Sequence, residues 1–206
     1  MSAIPGNARA ERRVRLATAM ADEGIDILVV AGNPWRSDYL RFAADITPLE
    51  GQAFAFIDRE GPARIIVEHP AEAARLRAEQ TELDVRWSLS AIEETETAIR
   101  GLGKRHIALA PRAAVPYRLA TGPLVASIAP ATALLDRLML RKSPAEIEAF
   151  RRAAVLADEG YAVFRGAARV GRPEYALVAE VEAFFRSRGC PENFQILGSG
   201  DRKSVV

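Results

Sequence analysis

The chain has 206 residues, 49% of them hydrophobic, and its 28 basic and 27 acidic side chains leave a net charge of +1. That length holds one large domain, or one domain with part of another, and the even charge balance provides no concentrated basic face for nucleic acid. The single cysteine excludes an internal disulfide, no apolar run approaches the roughly 20 residues that span a bilayer, and the arginine-bearing amino terminus lacks a signal-peptide core. These features predict a soluble, cytoplasmic chain with neither nucleic acid nor membrane as partner.

Residues 8–23 carry Val14, Leu16, Ala17 and Met20 at helical spacing, and Gly24 is placed to end that helix. The branched run at 25–30 predicts a buried strand. Residues 31–40 read as a loop, although it carries two large aromatics, Trp35 and Tyr39, which either cap the core or form a rim facing a substrate. Segments 52–58 and 63–67 predict a β-hairpin with a loop longer than the tightest kind. Helical composition at 70–80, a short strand at 85–87, a helix at 91–102 and a strand at 106–110 follow. A helical stretch at 113–120 is interrupted by Pro116, the apolar run at 124–128 reads as another strand, and 130–139 as a helix. Five or six strands alternating with helices predict a three-layer α/β domain, and the hairpin makes its sheet mixed.

The stretch from Leu138 to Arg169 divides the chain. Ser143 can accept from the free N–H groups of a first helical turn, Pro144 fits the first helical position, and Glu146 stands three residues after the cap. That pattern is a capping box. Beyond it Ile147, Phe150, Ala154, Ala157, Tyr161 and Phe164 recur at steps of three and four, predicting a long helix with one face packed on a core. A second helix over 173–188 follows. Arg172 supplies no capping oxygen, so Pro173 and Glu174 must start that helix unaided.

With these residues in view, the run from Leu138 through Arg141-Lys142-Ser143-Pro144-Ala145-Glu146-Ile147 to Ala154, together with the Asn33-containing loop that ends Tyr39-Leu40, resembles the creatinase/prolidase/aminopeptidase P family. The resemblance implies a ribonuclease H-like domain over residues 1–140 joined to the start of an α+β pita-bread catalytic domain at 141–200. It makes Asn193 to Gly200 the first strand and glycine turn of that second domain, with Phe194 bordering the site and Trp35 and Tyr39 at the pocket rim. In the family's metal-dependent members two aspartates, a histidine and two glutamates hold a pair of divalent ions, manganese, cobalt or zinc, and all five follow the glycine turn. Two hard cations held close together need several carboxylates to offset their charge. None of the five is expected in this chain, so it is expected to bind no metal itself.

The resemblance therefore implies an inactive front portion of an Xaa-Pro aminopeptidase-like or dipeptidase-like hydrolase that acts on a peptide or small amide as a homodimer. The same architecture hosts creatinase-like and ectoine-hydrolase-like enzymes that cut other C–N bonds, and non-catalytic binding or dimerisation modules, and fold alone does not choose among them. Residues 201–206, Asp-Arg-Lys-Ser-Val-Val, read as a translated sequencing adapter and not as native sequence.

Other residues invite chemistry and are read as structural. His69 and His106 have no ligand spacing between them. Cys190, between Gly189 and Pro191, reads as a partly buried thiol, Gly198-Ser199-Gly200 as a turn, and Glu93-Glu94-Thr95-Glu96 as a solvated helix face.

Overall fold

A computed structural model describes residues 6–190 and 195–198. The described chain divides into two compact units, residues 6–141 and the residues from 142 onward.

The first unit is built on a six-stranded mixed sheet. Its strands are β1 (Ile27–Gly32), β2 (Ala53–Asp58), β3 (Arg64–Val67), β4 (Asp84–Trp87), β5 (Ile107–Ala110) and β6 (Ala129–Pro130), in the order β4-β3-β2-β1-β5-β6. β1 runs antiparallel to β2 and parallel to β5, β2 is antiparallel to β3, and β3 is parallel to β4. The hairpin and the mixed sheet are as the sequence predicts. All six residues of β1 are buried, as befits a central strand covered on both faces.

Alternate residues of β1 feed two cores. Leu28 and Val30 face a cluster completed by Leu16 and Met20 of α1 (Gly6–Asp22), Leu40 and Phe42 of α2 (Asp38–Ala44), Leu76 of α3 (Pro70–Glu79) and Leu134 and Leu135 of α7 (Thr132–Leu140). Ile27, Val29 and Ala31 face a second cluster with Ile99 of α4 (Ala91–Gly101), Leu119 of α5 (Tyr117–Ala120) and Val125 of α6 (Pro123–Ala126). Helices therefore cover both faces, giving three layers.

Four sequence expectations about the first unit need correction. The apolar run at 124–128 forms α6, not a strand, because Pro123 sets the first helical position; the sixth strand is the two-residue β6 that follows. Residues 31–40 are not all loop, since β1 continues to Gly32 and α2 begins at Asp38. On α1, Val14 is exposed, and the buried face runs Ala8, Arg12, Leu16, Met20. On α4, Thr95 is fully buried, so the acidic run is a solvated face only in part.

The buried arginine has a local cause. Arg12 donates to the Arg41 carbonyl at 3.1 Å and to Asp45 Oδ1 at 3.2 Å, and Arg9 pairs with Asp45 at 2.5 Å. Asp45 caps α2 in the left-handed region at φ 54°, so the guanidinium lies where the free carbonyls of a helix end attract a cation.

In the second unit the capping box of α8 (Pro144–Ala167) is complete: Ser143 Oγ accepts from Glu146 N at 3.2 Å and Ser143 N donates to Glu146 Oε2 at 2.7 Å. α9 (Glu174–Ser187) starts at Pro173 with no side-chain cap. The predicted apolar stripe of α8 is not its packed face: Ile147, Phe150 and Tyr161 are exposed, while Gly160 and Ala167 are buried. Small residues admit close approach, and a Cβ on Gly160 would stand 2.3 Å from the Phe185 ring of α9.

Replacing Arg12 by alanine would strip Asp45 and the α2 carbonyl of a buried charged donor, and the expected cost is about 2 to 4 kcal/mol. Urea denaturation checks this through a lowered midpoint at unchanged slope; a shift under about 0.5 kcal/mol would mean that water replaces the guanidinium.

Candidate functional site

Because β1, β3, β4 and β5 point the same way, their carboxyl ends share one edge of the sheet, where β2 begins. Loops at such an edge are where α/β sheets present side chains to ligands. Trp35 follows β1, Trp87 ends β4, Leu89 follows it, and Tyr117 opens α5 after β5. All four are exposed, Trp35 to 79%.

The turn that carries Trp35 is braced. Asn33 Oδ1 accepts from the backbone N–H groups of Trp35 and Arg36, at 3.0 Å each, and the Arg36 and Asn33 main chains bond to each other. An asparagine bonding its own backbone in this way is a standard turn device. Arg36 Nη1 reaches the Ala113 carbonyl at 3.3 Å, linking the loop after β1 to the 3₁₀ turn Arg112–Ala114 after β5. Gln52 donates to the Ala114 carbonyl at 3.1 Å, and its own N–H donates to Glu68 at 2.8 Å, which ties in the ends of β2 and β3. Gly32 permits the tight start, since a Cβ there would lie 2.6 Å from both the Arg36 carbonyl and the Leu40 side chain.

Tyr39 has a different setting. It packs against the first core cluster, and its hydroxyl donates to Asp136 Oδ1 of α7 at 2.7 Å. The hydrogen bond to Asp136, partial burial and the neighbouring charges of Asp136 and Asp38 hold the phenol above its ordinary value. Trp35 and Tyr39 therefore differ: one is displayed at the sheet edge, and the other clamps α2 to α7. Phe194 lies outside the described residues, as do Ser199, Gly200 and residues 201–206.

The two histidines stand at opposite edges of the sheet. His69 follows β3 and lies 3.8 Å from Glu50, while His106 precedes β5 with its main-chain N–H on Asp26 at 2.9 Å. That hydrogen bond is the main cause of the lowered Asp26 pKa, with the Arg59, His106 and Arg105 charges adding to it against desolvation. Cys190 is buried. Among the described residues no three His, Cys, Asp or Glu side chains gather in a way that holds a metal ion, so the donor set does not fit the paired divalent ions that the resemblance implies for a parent enzyme. In the second unit, Gln195, Ile196 and Leu197 line a groove with Phe164 of α8 and Leu177, Val178 and Val181 of α9; most of these side chains are apolar.

No protein-family model matches the sequence, and no curated protein is significantly similar to it. Solved structures do match. An X-Pro aminopeptidase from Thermotoga maritima superposes with a TM-score of 0.66 at 18% identity, over 86% of this chain and 49% of that one. An Xaa-Pro dipeptidase from Bacillus anthracis gives 0.62 at 21% identity, over 87% and 49%. This is the fold of the creatinase/prolidase/aminopeptidase P family. An aminopeptidase P structure from Streptococcus thermophilus matches with a TM-score of 0.50 at 16% identity, over 65% of this chain and 99% of that one. The chain thus spans about half the length of the prolidase, dipeptidase and X-Pro aminopeptidase structures it matches. The braced turn and the Tyr39 clamp were only partly legible in the sequence. Asn33 after a strand signals the turn, whereas Asp136 lies 97 residues from Tyr39.

Tyr39→Phe should destabilise the chain by about 0.5 to 1.5 kcal/mol near neutral pH, the usual worth of one such bond. Because the folded pKa is raised, the bond's stabilisation is fully present below the ordinary tyrosine value of about 10 and falls as pH rises through the folded value. Denaturation of both proteins across the alkaline range checks this: the gap should narrow as Tyr39 ionises. A gap that stays constant would show that Asp136 is not the cause.

Proposed function

We propose that the chain is the front portion of an Xaa-Pro-peptidase-like hydrolase, with residues 1–140 as lid and scaffold, 141–200 as the opening of the catalytic domain, and 201–206 as non-native tail. The observation that carries this reading is the superposition of most of this chain on about half of each of several Xaa-Pro peptidase structures. The composite edge described above supplies the second support. A rigid turn that holds a largely exposed indole in place provides apolar contact at small entropic cost, which suits a lid over a peptide.

On this reading Trp35 belongs to the pocket rim, Tyr39 fixes α2 through Asp136, and Phe194 is the residue of the catalytic domain that would border the site. Substrate would be a peptide or small amide. The parent would be a cytoplasmic homodimer, and its paired divalent ions, manganese, cobalt or zinc, would be held by carboxylates and a histidine outside this chain. The lid's part is to bind, orient and exclude water; no bond-breaking step is assigned to its residues.

The 206-residue chain, purified and supplied with manganese or cobalt, is expected to hydrolyse no Xaa-Pro peptide. Release of the amino-terminal residue from a fluorogenic Xaa-Pro substrate is the measurement. Turnover that depends on added metal and survives repurification would overturn the assignment of these residues to a lid.

A further inference from the structure

Three buried polar side chains of the first unit, Arg12, Glu72 and Gln80, converge on one connection, residues 45–52 between α2 and β2. Burying such groups is costly unless they are bonded, so three of them on one short stretch fix its conformation. Gln80 Nε2 donates to the Asp45 carbonyl at 2.7 Å, beside the bond from Arg12 to the Asp45 carboxylate. Arg75 Nη2 donates to the Thr47 carbonyl at 2.8 Å, and Arg41 Nε to Thr47 Oγ1 at 3.1 Å. Leu49 N donates to Glu72 Oε1 at 3.2 Å.

Glu72 and Arg75 stand one turn apart on α3 and bond each other twice, Nη2 to Oε1 at 2.6 Å and Nε to Oε2 at 3.2 Å. Both oxygens of a carboxylate that is 6% exposed are thus filled by donors. The far end of the connection reaches the carboxyl edge of the sheet. There Gln52 N bonds Glu68, and the Gln52 side chain bonds the Ala114 carbonyl, next to the carbonyl that Arg36 holds. Ile46 and Pro48 are buried, but residues 45–52 belong to no helix or strand, and their ties are long side chains of α1, α2 and α3. A segment with few buried apolar contacts and no ladder opens at a lower free energy than a central strand.

We propose that residues 45–52 are a strap, latched by the buried Glu72–Arg75 pair, that opens as one unit while the sheet stays folded and thereby frees the turn after β5. Glu72 is a positioning residue in this device: its carboxylate accepts from three N–H groups, of Leu49 and twice of Arg75, and has no proton of its own to set against them. Gln52 carries the effect to the edge, because it joins the strap to the Arg112–Ala114 turn on which Arg36, beside Trp35, also rests. With the strap latched, that turn is held by Gln52 and Arg36 together; with the strap released, the Gln52 tie is lost. The inference concerns the order of the carboxyl edge and stands whether or not that edge serves a hydrolase.

The test is native-state amide hydrogen exchange of the full chain, read residue by residue by nuclear magnetic resonance. In the unsubstituted chain the Leu49 and Gln52 amides should share one protection factor, about a hundredfold or more below that of Val29 in β1, with little dependence on dilute urea. Glu72→Gln sets an amide N–H₂ against the Arg75 donors and should lower protection at Leu49, Gln52 and Ala114 together, by about tenfold. Gln52→Ala leaves the latch untouched, yet it should speed exchange at Leu49 as well, because coupling between strap and turn is reciprocal. Circular dichroism verifies that each variant is folded, and Gln52→Ala decides alone if Glu72→Gln does not fold. Leu49 protected as strongly as Val29, a Glu72→Gln effect confined to Leu49, or no response of Leu49 to Gln52→Ala would overturn the proposal.

Discussion

Burial of β1 on both faces is the constraint from which the first unit follows. A six-residue strand with no exposed position must be paired on both sides and covered above and below. β2 returns antiparallel on one side, β5 arrives parallel on the other, and successive side chains go alternately to two cores. Each buried isoleucine, valine or leucine in those layers contributes roughly 1.5 to 3 kcal/mol relative to exposure. The parallel partner requires a crossover, which places helices on the faces and leaves loops at the carboxyl edge, where the braced turn with Trp35 stands.

Long polar side chains, most of them arginines, close several backbone ends in this unit. Arg12 closes the end of α2, Arg77 the outer side of β4, Arg36 and Gln52 the turn after β5, and Arg15 reaches the carbonyls of Leu138 and Arg141 at 2.6 and 2.8 Å. A guanidinium with five donors on a long stem suits that task, since it satisfies carbonyls that no neighbouring main chain can reach. This gives part of the arginine-rich composition a structural use at a net charge near zero.

Features decided within a few residues were legible in the sequence. The capping box at Ser143 and Glu146, the hairpin of β2 and β3 and the glycine end of α1, with Gly24 at φ 67°, each depend on neighbours close along the chain. Features decided at a distance were not. Arg12 is a buried position only because α2 ends beside it, 29 residues later in sequence. Leu124 to Ile128 has the composition of a strand, yet a short apolar run fits a buried helical turn equally well, and Pro123 decided the matter. On α8 the apolar periodicity was real, but the packing face was chosen by Gly160, which admits Phe185 where a larger residue would not. The Trp35 rim was legible as an aromatic in a turn. Its brace from Asn33 is local, whereas the tie from Arg36 to the Ala113 carbonyl required the fold.

The proposed function rests on these residues being a scaffold and lid for chemistry carried elsewhere in a longer reading frame. Sequencing the genomic locus through and beyond the codon for Gly200 tests that most directly. The account predicts an open frame that departs from Asp201 to Val206 and runs on into a segment with two aspartates, a histidine and two glutamates. A frame that reads Asp201 to Val206 and then stops would contradict it.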